Sequence, residues 1–184
     1  MTLVPLVLVA ALCTAASVLA AEFRQLDPAA SQVSFTSRQM GVPVDGRFRK
    51  FESTLLVDPA APQSAKGKVT IDLASIDTGL KEANEEVVGA SWFDVSHHPT
   101  ATFDLGKIEP AGNSRFQVAG VLTLRGVTKL AAFEAELKSS ADRAVLEGSL
   151  PIKRLDFGVG QGGWGSTDVV ANEVIVRFKL VLLP

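Results

Sequence analysis

The sequence is short of the residues that carry most reactive chemistry. Its 184 residues include one cysteine, two histidines and no tyrosine. Cys13 falls in a leader expected to be removed, so the mature chain has no thiol. That excludes disulfides, thiol catalysis and cysteine-based metal binding. An excess of positive charge is also missing. Eighteen Lys+Arg against twenty Asp+Glu leave a net charge of −2, and a pI near 5.7 gives no electrostatic case for a nucleic-acid partner. No GxSxG nucleophile elbow occurs. Beyond the leader, no apolar run approaches the roughly 18 residues needed to cross a bilayer.

The leader, residues 1–21, contains no charged side chain, and only Thr2, Pro5, Thr14 and Ser17 fall outside the apolar set. An apolar stretch through Val9–Leu12, closed by the small residues Ala20-Ala21, reads as a secretory signal peptide cut after Ala20 or Ala21. No Lys or Arg precedes the apolar stretch, so only the α-amino group supplies positive charge there. A periplasmic destination is expected. The mature chain, residues 22–184, has the length of one domain with room for one sizeable core.

From residue 30 onward the dominant period is two, the mark of half-buried strands. Val33 and Phe35 alternate with Ser34 and Thr36; Val69 and Ile71 with Thr70 and Asp72. The longest rows are Phe116, Val118, Gly120, Leu122, Leu124 and Val174, Val176, Phe178, Leu180, Leu182. Between them come Ala101, Phe103, Leu105, then Ala131, Phe133, Ala135, Leu137, then Ala144, Leu146, Gly148, Leu150. Turn signals at Asp45-Gly46, Asp58-Pro59, Ala111-Gly112-Asn113, Arg125-Gly126 and Ser139–Asp142 separate the runs. One short helix is predicted, about Lys81 to Val88, starting near Thr78 or Gly79. The fold class is therefore all-β: an eight-stranded antiparallel barrel with one short helix. Closing the sheet hides its edges, and small inward residues (Gly120, Gly148, Ala131, Ala135, Ala144) are expected to leave volume for a ligand.

Chemistry-bearing motifs are few. His97-His98 would point to opposite faces of a strand, so one ion could not engage both, and the pair reads as capping a loop before Pro99. Residues 158–163 match the spacing GxGxxG, yet no helix follows to present its N-terminus to a pyrophosphate. Acidic side chains stand singly. No metal, no cofactor and no enzymatic activity are expected.

Several motifs in order resemble the YceI family of bacterial secreted lipid-binding proteins, from about Glu22 to Leu183. They are Ser31–Phe35, Gly46–Phe51, Ile71–Gly79, Trp92-Phe93-Asp94 with Pro99–Phe103, Gly120–Thr128, and Arg154–Gly158 with Gly163-Trp164. Ala30 and Gln39 stand where many members carry histidine. The resemblance implies a lipocalin-like barrel holding a long-chain amphiphile, a polyisoprenoid or isoprenoid-quinone-like lipid. The candidate pocket is then Phe35, Phe48, Phe51, Trp92, Phe93, Phe103, Phe116, Leu122, Leu124, Phe133, Leu146, Phe157 and Trp164, with the two tryptophans near the barrel mouth. Candidate head-group contacts are Arg38, Arg47, Arg125 and Lys129, because guanidinium groups bind phosphate bidentately. The alternative is an envelope interaction or stress-response module: a filled barrel docking on a membrane redox or other envelope partner.

Overall fold

Each alternating run forms a strand, and hairpin turns join most of them. The computed structural model describes residues 22–184; the expected signal peptide, with Cys13, lies outside the described residues. The strands are β1 Gln25–Leu26, β2 Gln32–Gln39, β3 Val42–Phe48, β4 Phe51–Ser53, β5 Lys68–Asp72, β6 Ile76–Asp77, β7 Thr100–Gly112, β8 Arg115–Leu124, β9 Val127–Ser139, β10 Ala144–Lys153 and β11 Glu173–Leu183. One α-helix, α1, spans Lys81–Val87. Every pairing between the strands is antiparallel.

Eleven segments reduce to eight long strands. The sheet runs β4-β5-β7-β8-β9-β10-β11-β2-β3-β6, and its two ends are pieces of strands already present. β3 continues into β4 through Arg49-Lys50, while β5 continues into β6 through a short 3-10 turn, Leu73–Ser75. Backbone bonds cross this gap: Arg49 N–H donates to Ser75 O (3.1 Å) and Asp72 N–H to Lys50 O (3.1 Å). The bent pair thus stitches one end of the sheet to the other and closes the barrel. The two-residue β1 adds to the end of β11.

The turn expected at Asp45-Gly46 is not there. Both residues lie inside β3, and the chain reverses instead at Met40-Gly41, where φ is 48° and 80°, as a two-residue hairpin turn requires. Gly46 serves another purpose. It faces Phe35 on β2, and a β-carbon there would strike the Phe35 ring. Gly120 makes the same room for Phe103, and at Gly148 a β-carbon would lie 2.7 Å from Phe178 Cζ. The inward glycines therefore do not leave empty space, as expected from sequence; they let three phenylalanine rings lie flat against the wall. Because the rings hug the strands, the middle of the tube stays open.

One end of the barrel is plugged. Phe23, Val57, Ala144 and Leu182 are each at most 2% exposed and belong to one continuous apolar cluster. The opposite end carries the β2–β3 turn, α1 and the long connection after β10.

Candidate functional site

Inside the barrel lies a cavity of about 660 Å³, walled by alternate residues of the strands. It is well above the roughly 300 Å³ at which ligand pockets begin, so the filled barrel of the alternative reading is not what the chain forms. Four of its lining residues are exposed, Gln39, Leu80, Glu82 and Glu86. They mark the mouth, between the end of β2 and helix α1. Val42, next to the turn and in phase with Val44 and Phe48, is 62% exposed, as is Met40 at 70% and Leu80 at 65%. The apolar lining thus continues onto an apolar rim.

Of the predicted pocket residues, Phe35, Phe48, Trp92, Phe93, Phe103, Leu122, Leu124, Phe133, Leu146 and Trp164 line this cavity. Phe103, Phe133 and Phe178 form an aromatic ladder along one wall, with ring centroids 5.3 and 5.5 Å apart. Three predicted residues lie elsewhere. Phe51 pairs with Ile71 at the broken seam and packs on the core from outside the cavity. Phe116 sits opposite Pro110, next to the bulge that ends β7, and does not line the cavity. Phe157 is 3% exposed and belongs to the 3-10 turn that opens the connection after β10, where it joins the apolar core.

None of the four predicted head-group cations lines the cavity. Arg38 and Arg47 are out of phase with the inward rows. Arg38 donates to Gly41 O, and Arg47, with Arg49, pairs with Asp77. Their hydrogen bonds hold the Asp77 carboxyl below its ordinary pKa, Arg49 contributing most. Arg125 donates to Ala90 O at 2.7 Å, and Lys129 reaches Asp156 at 3.5 Å. These arginines and the lysine fasten loops and seams; the expectation that they would face a ligand's phosphate is not met.

The cation in the cavity wall is Arg154, which the sequence reading left unassigned. It is 2% exposed and buried in the open end of the barrel. Its five N–H groups meet five backbone carbonyls: Nε donates to Ala171, Nη1 to Val159 and Gly160, and Nη2 to Trp164 and Val170, at 2.8–3.0 Å. Its guanidinium carbon stands 5.7 Å from the Trp92 ring centroid, a cation–π distance. Burial lowers its basicity, but a guanidinium keeps its proton at neutral pH. The signal was available in parity, since Arg154 continues the inward row Leu146, Gly148, Leu150, Ile152. Trp92 and Trp164 meet at 5.5 Å, and Trp164 Nε1 donates to Glu86 Oε1 at 2.8 Å. Together these contacts tie the glycine-rich loop to α1 beside the mouth.

His97 and His98 stand away from the cavity. His97 Nδ1 lies 2.9 Å from Asp94 Oδ1, a contact that lowers the Asp94 pKa, and His98 lies against Gly126. Of the two residues at which the sequence departs from the family resemblance, Gln39 is at the cavity mouth and Ala30 is exposed beside Asp27.

A family model for the YceI-like domain matches residues 25–182. The chain belongs to the YceI family. It is 34% identical over 167 residues to a UPF0312 protein of Pseudomonas aeruginosa, covering 86% of each chain. It is 32% identical over 166 residues to a UPF0312 protein of Pectobacterium atrosepticum, again covering 86% of each. The crystal structure of Burkholderia cenocepacia BcnA is similar at a TM-score of 0.83 and 40% identity, covering 85% of this chain and 99% of that one. A polyisoprenoid binding domain from Saccharophagus degradans shares the fold at a TM-score of 0.70 and 22% identity, covering 86% of this chain and 96% of that one. This YceI-family barrel therefore has its expected architecture, and its cavity occupies the interior of the matched domain.

Proposed function

We propose that the protein is an exported, non-enzymatic binding protein that holds a long-chain amphiphile in its barrel, a polyisoprenoid or isoprenoid-quinone-like lipid. The observation that carries this reading is the 660 Å³ cavity, lined almost wholly by apolar side chains and opening at one end. At about 30 Å³ per non-hydrogen atom, the share a water molecule takes in the liquid, it has room for roughly twenty such atoms. Each methylene moved from water into it gains about 0.8 kcal/mol, partly offset by ordering a flexible chain. The fold shared with a polyisoprenoid binding domain supports the ligand class. The charge-free leader supports periplasmic carriage, where a lipid of negligible solubility needs a carrier between membranes.

The test is mass spectrometry of the organic extract of protein purified from the envelope fraction, beside amino-terminal sequencing of the same material. The reading predicts one enriched long-chain lipid and a mature terminus near Glu22. An extract matching the bulk membrane lipids would contradict the ligand, and protein retained in the cytoplasm with Met1 in place would contradict the location.

A further inference from the structure

The polar groups of the cavity wall are few, and their signs are uneven. Among the described residues, the only cation lining the cavity is Arg154, and all five of its N–H groups are already engaged by backbone carbonyls. It has no donor left for a ligand. Two carboxylates, Glu82 and Glu86, line the mouth from one face of α1, spaced four residues apart. Neither forms an ion pair among the described residues, and the helix's own lysine, Lys81, pairs instead with Glu85. Gln39 lines the same opening. One donor in the wall has no partner: Trp92 Nε1 is buried and unbonded.

From this census we infer that the ligand's polar end is a hydrogen-bond donor carrying no negative charge, a hydroxyl or an amine, and not a phosphate. The inference rests on the lipid-binding reading above and narrows it to a head such as an isoprenol, an amine or a quinol, since an oxidised quinone offers acceptors alone. A phosphate at the mouth would meet two carboxylates, and the one cation of the lining has no donor left for it. A hydroxyl can donate to Glu82 or Glu86 and also accept from an indole N–H, and an ammonium gains from both carboxylates. This reverses the chemistry expected of Arg38, Arg47, Arg125 and Lys129, none of which lines the cavity; Arg47 and Lys129 pair with Asp77 and Asp156, and Arg38 and Arg125 each donate to a backbone carbonyl.

The experiment compares farnesol, farnesylamine and farnesyl monophosphate, which share one chain and differ only in head group. The readout is intrinsic fluorescence, since both tryptophans of the protein lie in the cavity wall and it has no tyrosine. Farnesol and farnesylamine are expected to saturate the signal. The monophosphate is expected to bind about tenfold more weakly at low salt, the scale of two exposed like-charge contacts, with the gap closing near 0.5 M salt. The double variant Glu82→Gln/Glu86→Gln, which keeps an acceptor for Trp164, should close it at low salt too. A monophosphate that binds as tightly as farnesol, or more tightly, overturns the head-group inference and leaves the lipid reading standing. No saturable response to any of the three overturns both. The wild-type salt series decides the matter even if the double variant fails to fold.

Discussion

At the scale of single residues, Arg154 and the three inward glycines matter most. Arg154 organises the connection after β10 because no other side chain offers five donors in one plane. Replacing it with alanine strands five carbonyls in a buried site, and a loss of about 3 kcal/mol or more is expected. Lysine, with three donors, should fall between the two. Denaturant midpoints of the three proteins check this, and an Arg154→Ala variant within 1 kcal/mol of wild type would contradict the role. The glycine claim makes a paired prediction. Gly46→Ala drives its new methyl into the Phe35 ring, lifting the ring into the lumen at about 1–3 kcal/mol and weakening uptake of a long chain. Adding Phe35→Leu should restore most of both, which calorimetric stability and a lipid titration would show. Additive losses would mean that ring and glycine act independently.

At the scale of elements, the seam between the bent strand β3–β4 and the interrupted strand β5–β6 closes the barrel. Asp77 stands there between Arg47 and Arg49 at 3.1 and 2.9 Å. Its pKa is lowered in the folded protein, so its contribution to stability is full above the ordinary value of 3.8 and disappears as pH falls through the lower folded value. Acid unfolding should therefore steepen below about pH 4, and Asp77→Asn should flatten that limb of the stability–pH curve. An unchanged acid limb would move the closure to backbone bonding alone. Much of this level was legible in the sequence. Period-two runs located β2, β5 and β7 through β11, and the acidic, proline-free stretch located α1. What escaped were features that depend on a partner strand. Asp45-Gly46 looks like a turn until Phe35 is placed opposite it, and the breaks at Arg49-Lys50 and Leu73–Ser75 carry neither glycine nor proline.

At the scale of the whole molecule, the barrel is closed, plugged by Phe23 and its neighbours at one end, and open beside α1 at the other. Parity made most of the lumen readable in advance, because an inward row stays inward along its strand. The same rule, carried two residues past Leu150 and Ile152, reaches Arg154, and it places Arg38 and Arg47 outside. Residue type points to Arg38, Arg47, Arg125 and Lys129 as head-group cations, and type does not reveal that an arginine is already engaged by backbone carbonyls. On the lipid-carrier reading, this tube is hollow in order to be occupied. Native mass spectrometry of protein taken from its own envelope tests it most directly. The account predicts, beside the apo mass, a discrete adduct of one long-chain lipid that disappears after extraction and returns on adding the lipid back. The bare polypeptide mass alone, in repeated gentle preparations and after incubation with isoprenoids, would contradict it.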